Sequence, residues 1–505
     1  MPASPRLVVI GLDGATWDVI DPLLASGDLP HLAHLLQSGR RGALESVFPP
    51  LTAPAWQSIF TGMVPDEHGV FEMTVYDRAL GRRRPVCMND WHGTPLWDRV
   101  TELGFSGGYL GIPFTYPPTD VNGWLVSGIM GTPSYTDRMA RPPHLFAEIT
   151  HAAGEYPLDR PEKRPGSYPR DVLNRQIAWL HDVALYLLRN HPVDVIVVVE
   201  NYTDFVQHFF LRTRVHDGVD MIALAYRAAD RLLGDIRAEV GPDVPVMVLS
   251  DHGAMPIEGY INSARIVAAV SPHGEARKRA AAWSFAALKR LWRTTGKALL
   301  RALGVDPARL SEWGVRTLQG SPDDPKATVV GHYGSVWLTS DPRATKPEDV
   351  ERAARALAGL HDPSGLGPLL EVAKGGEGCS GVAAEQAPHL LARPRRGSYE
   401  FRQASPVAPL VILPEEAERA DVECWATEGT HSPEGIWALS AAGVQASAPG
   451  SLADVMGTLM ELLGVAPDAG LRPATERAGA IGRSGYTPDE EKAILGRLYD
   501  LGYID

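Results

Sequence analysis

Cysteine is scarce in this sequence. The 505 residues include three cysteines, Cys87, Cys379 and Cys424, which are scattered without the spacing of a metal-binding motif. An odd number of scattered cysteines argues against a disulfide framework and indicates thiols in a reducing compartment.

Long hydrophobic runs are absent as well. None approaches the roughly 20 apolar residues that a transmembrane helix needs. The opening residues, MPASPRLVVIGLDG, lack the apolar core and cleavage site of a signal peptide and resemble the start of a strand. We therefore expect a cytoplasmic protein without a membrane span.

The chain also lacks an excess of positive charge. Its formal net charge is −13 at pH 7, which argues against a nucleic-acid polymer as partner, because proteins that bind such polymers are expected to be basic. A small anionic substrate is compatible with this charge, since bound divalent metal ions would reverse the field locally.

Short apolar segments alternate with amphipathic ones through the first half of the chain. Arg6–Leu12, Val193–Glu200 and Val244–Ser250 are almost uniformly apolar, as in strands that are covered on both faces. Asp171–Asn190 has the periodicity of an amphipathic helix. This alternation predicts an α/β fold with a doubly wound sheet.

Residues 265–325 differ from the rest in composition. They carry the basic and aromatic stretch RKRAAAWSFAALKRLWRTTGKALLRAL. We interpret them as an inserted helical cap beside the active-site edge of the sheet, and a membrane-surface or partner-binding helix is the alternative. The predicted catalytic domain then comprises residues 1–264 and 326–505, with a small α+β subdomain at about 365–422.

Three of the predicted strands are followed by side chains that can bind metal. Asp13 follows the first, Asp204 and His208 the second, and Asp251 and His252 the third. Ligands of open α/β sheets bind at the carboxyl ends of the strands, and unpaired buried carboxylates are costly. Taken singly, each is also compatible with a helix cap, a surface pair or a turn. Together, at one end of the sheet, they indicate a metal centre.

The ligand types indicate which metal this centre holds. Asp204 and His208 are four residues apart, which places them on one face of a helix. Carboxylate and imidazole without thiolate suit zinc or manganese. The side chains suffice for two divalent ions. Two-metal sites of this kind typically carry out in-line displacement at phosphorus.

One threonine is placed to act as a nucleophile. Thr52 lies between Pro50 and Pro54, directly ahead of a predicted helix, Ala55–Thr61. The prolines restrict the backbone, and a helix that starts there directs free N–H groups at a nearby anion. A helix-entry residue without catalytic role is the alternative for Thr52 taken alone.

With these residues in place, the sequence resembles the alkaline phosphatase superfamily, and within it the type I phosphodiesterase / nucleotide pyrophosphatase family. The resemblance extends over nearly the whole chain outside the insert. It rests on the segments VVIGLDGATWD, PPLTAPAWQSIFTGMVPDEHG, TDFVQHFF, LSDHGAM and GTHSPEGIW, and on the closing segments SLADVMGTLMELLGV and LYDLGYID. It implies an alkaline-phosphatase-like sheet sandwiched between helices.

The resemblance also implies the ligand sets and a mechanism. One ion would be held by four side chains and a second by three, which are Asp13, Thr52, Asp251 and His252 for the first ion and Asp204, His208 and His431 for the second. His431 is assigned by the resemblance alone, because an isolated GTHSPEG loop predicts only a turn residue. Thr52 would attack phosphorus and form a phosphothreonine, which water then hydrolyses.

The sequence indicates the substrate contacts less clearly than the metal ligands. The family's nucleotide pyrophosphatases hold a phosphate oxygen with an asparagine downstream of the nucleophile, but here that neighbourhood reads FEMT from Phe71, and Asn89 lies further on. Trp56, Phe71 and Tyr202 are candidates for stacking on a base, and packing residues are the equal alternative.

Three functions are compatible with these patterns. The first is a phosphodiesterase or nucleotide pyrophosphatase acting on a small phosphate ester, with a nucleotide as one candidate. The second is a phosphomonoesterase on the same bimetal core, since the motifs define the core and not the leaving-group side. The third is a non-catalytic binding relative, against which all seven ligand positions argue. A phosphoglycerate mutase of the cofactor-independent type is disfavoured, because it would use a serine nucleophile.

Overall fold

The computed structural model describes most of the chain, namely residues 4–158, 168–271, 328–339, 341–365, 367–405, 408–420, 422, 427–440, 445–465, 484–500 and 504. The chain divides into two compact units. The first comprises Met1–Val75, Pro85–Pro256 and Ala426–Tyr503, and the second comprises Tyr76–Arg84, Ile257–Trp425 and Ile504–Asp505. From residue 272 onward, the cap predicted at 265–325 lies outside the described residues.

The strands are short. In chain order they are β1 (Leu7–Leu12), β2 (Arg40–Glu45), β3 (Thr74–Asp77), β4 (Arg82–Pro85), β5 (Gly107–Leu110), β6 (Gly123–Val126), β7 (Ala140–Arg141), β8 (Val195–Glu200), β9 (Val215–His216), β10 (Val219–Asp220), β11 (Val246–Leu249), β12 (Gly253–Pro256), β13 (Gly259–Asn262), β14 (Val329–Val330), β15 (Ser335–Trp337), β16 (Leu370–Lys374), β17 (Leu390–Pro394), β18 (Tyr399–Arg402), β19 (Val411–Ile412), β20 (Gly429–Ser432) and β21 (Glu434–Ser440).

The helices of the described residues are α1 (Trp17–Ala25), α2 (Pro30–Ser38), α3 (Thr52–Thr61), α4 (Pro65–His68), α5 (Leu96–Glu102), α6 (Leu145–Ala153), α7 (Arg170–Asn190), α8 (Tyr202–Phe210), α9 (Met221–Val240), α10 (Ser263–Val270), α11 (Pro347–Ala358), α12 (Gly381–Gln386), α13 (Asp454–Leu462) and α14 (Pro488–Asp500). Short 3-10 turns occur at Met88–Asp90, Asp137–Met139, Pro342–Ala344 and Pro414–Glu416. Within these residues, we find no helix with the length and apolarity to cross a bilayer.

An eight-stranded sheet forms the centre of the first unit. Its strand order is β2-β21-β11-β1-β8-β5-β6-β7. β1 pairs in parallel with both β8 and β11, and β21 runs antiparallel to β11. The predicted α/β fold is therefore confirmed, with the three strands that precede the candidate ligands side by side in the middle of the sheet.

Both faces of this sheet are covered. Side chains alternate between the two faces along a strand. Val9 packs in one buried cluster with Trp56 of α3 and Leu459 of α13. Its neighbour Ile10 lies on the other face and lines a small cavity with Tyr226 of α9. Burial on both faces explains why the central strands are uniformly apolar.

The second unit has smaller sheets, ordered β14-β15-β17-β16 and β18-β13-β19. Its hydrophobic core includes Ile261, Val336 and Phe401. Arg84 of β4 and Asp77 of β3 form a buried ion pair at 2.8 Å. Residues 365–422 lie within this unit, which begins earlier in the chain.

The helix that carries Thr52 begins three residues earlier than predicted. α3 starts at Thr52 and not at Ala55, because proline is tolerated in the first turn of a helix, where Pro54 lies. α8 starts at Tyr202, directly after Asn201. As a result, Thr52 and Asp204 belong to first helical turns and not to the loops before them.

Candidate metal centre

The carboxyl ends of β11, β1 and β8 bring the predicted ligands together. Asp13 follows β1 directly, Asp251 and His252 connect β11 to β12, and Asp204 lies in the first turn of α8 after β8. Because these strands are parallel neighbours, their carboxyl ends meet at one edge of the sheet, as the sequence predicts.

The first cluster at this edge is the Asp13 group, which we define as Asp13, Asp251 and His252. All three side chains are completely buried. The Nε2 atom of His252 lies 3.6 Å from Asp13 Oδ1 and 3.4 Å from Asp251 Oδ2. One ligand atom from each residue lies within 4.8 Å of the other two, a spacing that suits a single ion.

Thr52 lies beside the Asp13 group. Its Oγ1 atom is 3.4 Å from His252 Nε2, and its side chain is completely buried. The N–H groups of Thr52 and Ala53 belong to the first turn of α3, where no intrahelical carbonyl is available to them. The hydroxyl therefore sits at the positive end of a helix, next to a cluster of potential metal ligands.

The second cluster is the Asp204 group, which we define as Asp204, His208 and His431. All three are buried. The Nε2 atoms of His208 and His431 lie 3.4 Å and 3.6 Å from the two carboxylate oxygens of Asp204. The ring of His431 also stacks on that of His252, with centroids 3.6 Å apart, so the two groups are adjacent.

Backbone carbonyls orient all three histidines in the same way. The Nδ1 atoms of His208, His252 and His431 lie 3.0 Å, 3.0 Å and 2.7 Å from the carbonyl oxygens of Gly429, Gly253 and Pro50. Each Nδ1 therefore carries the hydrogen, which leaves a lone pair on each Nε2. This is the usual orientation of metal-binding histidine.

Two further observations show that divalent cations fit these groups. With lone pairs on both atoms, the 3.0 Å contact between the Nε2 atoms of His208 and His431 is not a hydrogen bond, and a cation would relieve it. Among the described residues, the buried atoms Asp13 Oδ1 and Asp251 Oδ2 accept no hydrogen bond. Carboxylate and imidazole donors without thiolate suit zinc or manganese.

The other oxygen of Asp13 is fully engaged. Asp13 Oδ2 accepts hydrogen bonds from Trp56 Nε1, at 3.3 Å, and from the side-chain amide of Asn201. These donors fix the carboxylate so that Oδ1 is left for a ligand. Sequence reasoning missed Asn201, because its contact with Asp13 forms only when β1 and β8 pair.

The electrostatics of the two groups differ. Burial, reinforced by the neighbouring carboxylates, raises the pKa of Asp13 well above its usual range. Burial also raises the pKa of Asp251 to about 6. In the Asp204 group, burial raises the pKa of Asp204 as well, but the imidazoles around it prevail and hold that pKa below its usual range.

Gly14 allows the two groups to approach each other. Its backbone has a φ of +68°, and a Cβ atom there would lie 2.7 Å from Asp204 Oδ1. Its N–H donates to Asp251 Oδ1 at 3.2 Å. A side chain at this position would thus displace Asp204 and strain the turn. The dipeptide Asp13-Gly14 after an apolar strand is the signal in the sequence that indicates such a turn.

His431 reaches the site through a hairpin-like ribbon. β20, which carries it, pairs antiparallel with β12, and His431 lies opposite Ala254. β12 begins directly after His252, so the ribbon places the two imidazoles side by side. Nothing local in the sequence indicates this pairing, which explains why only the resemblance pointed to His431.

The four candidate substrate residues differ in placement. Trp56 is completely buried and stacks on Phe60, with centroids 5.7 Å apart, and Phe71 and Tyr202 are also buried. Asn89 is exposed, in a 3-10 turn that contacts α3 through the carbonyl of Asp90, which accepts from Gln57. A substrate contact by any of the four stays a prediction.

The sequence of this chain is similar to those of known proteins. The family model described as Type I phosphodiesterase / nucleotide pyrophosphatase matches residues 7–311. Mouse bis(5'-adenosyl)-triphosphatase enpp4 is 31% identical over 102 residues, which are 19% of this chain and 21% of the mouse protein. The match thus spans about a fifth of the length of that relative.

Two solved structures show the same fold. Murine ectonucleotide pyrophosphatase / phosphodiesterase 5, an inactive variant in complex with AMP, is 13% identical with a TM-score of 0.51 over 92% of this chain and 96% of its own. Phosphonoacetate hydrolase from Sinorhizobium meliloti 1021, in complex with phosphonoacetate, is 15% identical with a TM-score of 0.55 over 92% and 96%. They confirm the alkaline-phosphatase-like architecture. Since the family model matches more than half of its residues, this chain belongs to the type I phosphodiesterase / nucleotide pyrophosphatase family.

Proposed function

We propose that the protein hydrolyses phosphodiesters or nucleotide pyrophosphates at a two-metal site, with Thr52 as the nucleophile. The observation that carries this proposal is the position of Thr52 Oγ1, 3.4 Å from His252 Nε2 at the start of α3. The Asp204 group lies next to it, because His431 contacts both His252 and the carbonyl of Pro50. A hydroxyl in such a position is placed for attack on phosphorus.

The two groups divide the metal ligands between them. The Asp13 group and Thr52 would hold one divalent ion, and the Asp204 group would hold the other, with zinc as our first choice and manganese as the alternative. Bound ions would lower the pKa of a coordinated hydroxyl and stabilise the charge of a phosphoryl group during transfer.

The residues of this chain supply positioning and a covalent acceptor. Thr52 Oγ1 forms a bond to phosphorus as its proton passes to solvent. The bond from phosphorus to the leaving oxygen breaks, and that oxygen departs on the alcohol or phosphate product after taking up a proton from solvent. The first-turn N–H groups of α3 face the anionic phosphoryl oxygens. Water then cleaves the phosphothreonine at phosphorus, which regenerates the hydroxyl and releases the product.

The relatives favour a nucleotide substrate. One relative is a bis(5'-adenosyl)-triphosphatase, and a second is in complex with AMP. The same fold also serves phosphonoacetate hydrolase, so the leaving-group side varies between proteins of this architecture. We therefore propose a nucleotide diester or pyrophosphate as the substrate class.

Two model substrates test the proposal. With zinc-loaded protein, we expect faster hydrolysis of bis-p-nitrophenyl phosphate than of p-nitrophenyl phosphate. A clear preference for the monoester would instead identify a phosphomonoesterase on the same core. Failure to hydrolyse either compound, together with zinc or manganese absent from metal analysis, would favour a non-catalytic binding protein.

A further inference from the structure

A buried hydrogen-bonded pair connects the two ligand groups. We propose that Thr203 and Glu200 are positioning residues that fix helix α8, and with it the Asp204 group, against the end of β1 that carries Asp13. This inference rests on the metal centre that is part of the proposed function. Neither residue is among the predicted ligands.

The geometry of the pair carries the inference. Thr203 Oγ1 lies 2.7 Å from the carbonyl oxygen of Asp13 and 2.5 Å from Glu200 Oε1. The backbone N–H of Thr203 donates to Glu200 Oε2 at 3.1 Å. Glu200 is the last residue of β8, and Thr203 lies in the first turn of α8. The pair therefore joins β8, α8 and the end of β1 at one point.

Counting hydrogens shows how both contacts of the hydroxyl are satisfied. A threonine hydroxyl has one hydrogen to donate, and here two acceptor oxygens lie within reach. Both contacts form when the hydroxyl hydrogen of Thr203 is shared between the carbonyl of Asp13 and Oε1 of Glu200. A glutamine at position 200 has the same shape and can make the same two bonds, since its amide donates and its carbonyl accepts.

The position of Thr203 links it to both groups. Its bond to the backbone of Asp13 reaches the Asp13 group, and Asp204 is the next residue along α8. Partners outside the ligand set that orient metal ligands typically change metal affinity 10- to 100-fold when they are removed. Loss of the Thr203 hydroxyl is thus expected to weaken metal binding without removing any ligand.

A second contact keeps α8 in place when that hydroxyl is absent. One turn further along, Gln207 Nε2 donates to the carbonyl of Gly14 at 2.8 Å, and Gln207 Oε1 accepts from the hydroxyl of Tyr226 at 2.9 Å. Because this bond does not involve Thr203, a Thr203→Val variant retains a connection between α8 and the loop after β1. Valine also matches the shape of threonine, so the variant is expected to fold.

The test compares Thr203→Val with Thr203→Ser in the full chain. Zinc affinity is measured by isothermal titration calorimetry, and thermal unfolding is measured in a chelator. We expect Thr203→Val to bind zinc roughly tenfold or more weakly, and Thr203→Ser to stay within about threefold of wild type. Wild-type zinc affinity in Thr203→Val would overturn the inference, even if the metal-free variant unfolds at a lower temperature.

Position 200 gives an independent check. We expect Glu200→Gln to keep wild-type zinc affinity and Glu200→Ala to lose roughly tenfold or more. Equal losses in both variants would contradict the hydrogen-bond arrangement described above. The wild-type titration keeps the two proposals apart, because a wild-type chain that binds no zinc refutes the metal centre, whereas unchanged binding in Thr203→Val refutes the positioning role alone.

Discussion

The Asp13 group and the Asp204 group use the same residue types in opposite proportions. The first has two carboxylates and one imidazole, and the second has one carboxylate and two imidazoles. Both are buried, yet the pKa values of Asp13 and Asp251 are raised, whereas that of Asp204 is lowered. The Asp13 group thus holds two carboxylates whose negative charge is unfavourable until a cation or a proton balances it, whereas the single carboxylate of the Asp204 group is stabilised when an imidazole beside it is protonated.

This difference assigns separate tasks to the two groups. The group with the larger negative charge lies beside Thr52, where a cation would assist loss of the hydroxyl proton. The imidazole-rich group is anchored to backbone carbonyls on the other side of His252, which suits it to the other oxygens of the substrate. The predictions below test whether the two groups are as different as their composition indicates.

The largest expected effect is that of removing the hydroxyl between them. Thr52→Ala should lower kcat/KM for bis-p-nitrophenyl phosphate about a thousandfold or more, because no other group takes over bond formation to phosphorus. Thr52→Ser, which retains a hydroxyl, is the matched control and should keep measurable activity. Unchanged hydrolysis by Thr52→Ala would refute the nucleophile assignment.

The next largest effect is expected from removing one carboxylate charge from either group. Asp251→Asn and Asp204→Asn each remove one charge from one group, and each should weaken zinc binding at that group more than about a hundredfold, since removing partners outside the ligand set already costs 10- to 100-fold. Metal analysis after dialysis should then give one zinc per chain in place of two. Two zinc ions retained by both variants would show that these carboxylates are not ligands.

In the metal-free protein, the contributions of the two groups to stability should change with pH in opposite directions. The folded-state pKa of Asp251 is raised to about 6 from a usual value of 3.8, so the folded protein holds the proton more tightly than the unfolded chain. Its contribution to stability is therefore complete below pH 4 and is lost as the pH rises through 6. An asparagine at position 251 does not titrate, so the Asp251→Asn variant has no such loss.

Asp251→Asn should therefore gain stability relative to wild type between pH 4 and pH 7, by on the order of 2 kcal/mol in a chelator. The lowered pKa of Asp204 gives the opposite sign, because its carboxylate stabilises the fold above its unfolded pKa and this contribution is lost as the pH falls. Asp204→Asn should thus be less stable than wild type at pH 7. Urea unfolding curves at several pH values measure both differences in the free energy of unfolding. A change of the same sign in the two variants at pH 7 would contradict the difference between the groups.

The smallest expected effect concerns the turn between the groups. Gly14→Ala should lower stability by about 1–2 kcal/mol through its positive φ, and should also weaken zinc binding by displacing Asp204. Gly27→Ala is the matched control, since Gly27 also has a positive φ, of +80°, but has no atom within 4 Å of the added Cβ. We expect the control to lose stability and keep its zinc affinity. Equal zinc affinity in both variants would contradict the role of Gly14.

The sequence predicts those parts of this site that depend on local pattern. Asp13, Asp204, His208, Asp251 and His252 were found because each follows an apolar strand, and parallel strands bring such positions together. The central strands were found for the same reason, since burial on both faces leaves a run of apolar residues.

What the sequence does not predict depends on long-range pairing. His431 reaches the site through the antiparallel pairing of β20 with β12, and the antiparallel pairing of β21 with β11 has no local signal either. The donors to Asp13 from Trp56 and Asn201, and the bond from Thr203 to its carbonyl, also form between distant segments. Such contacts become visible only when the strands are placed side by side.

The most direct test of the account is to locate the ions. Crystals of the zinc-loaded protein should be measured on both sides of the zinc absorption edge. The account predicts two anomalous peaks, one among Asp13, Asp251, His252 and Thr52 and the other among Asp204, His208 and His431. Zinc bound elsewhere, or an Asp13 group without a peak in such crystals, would contradict it.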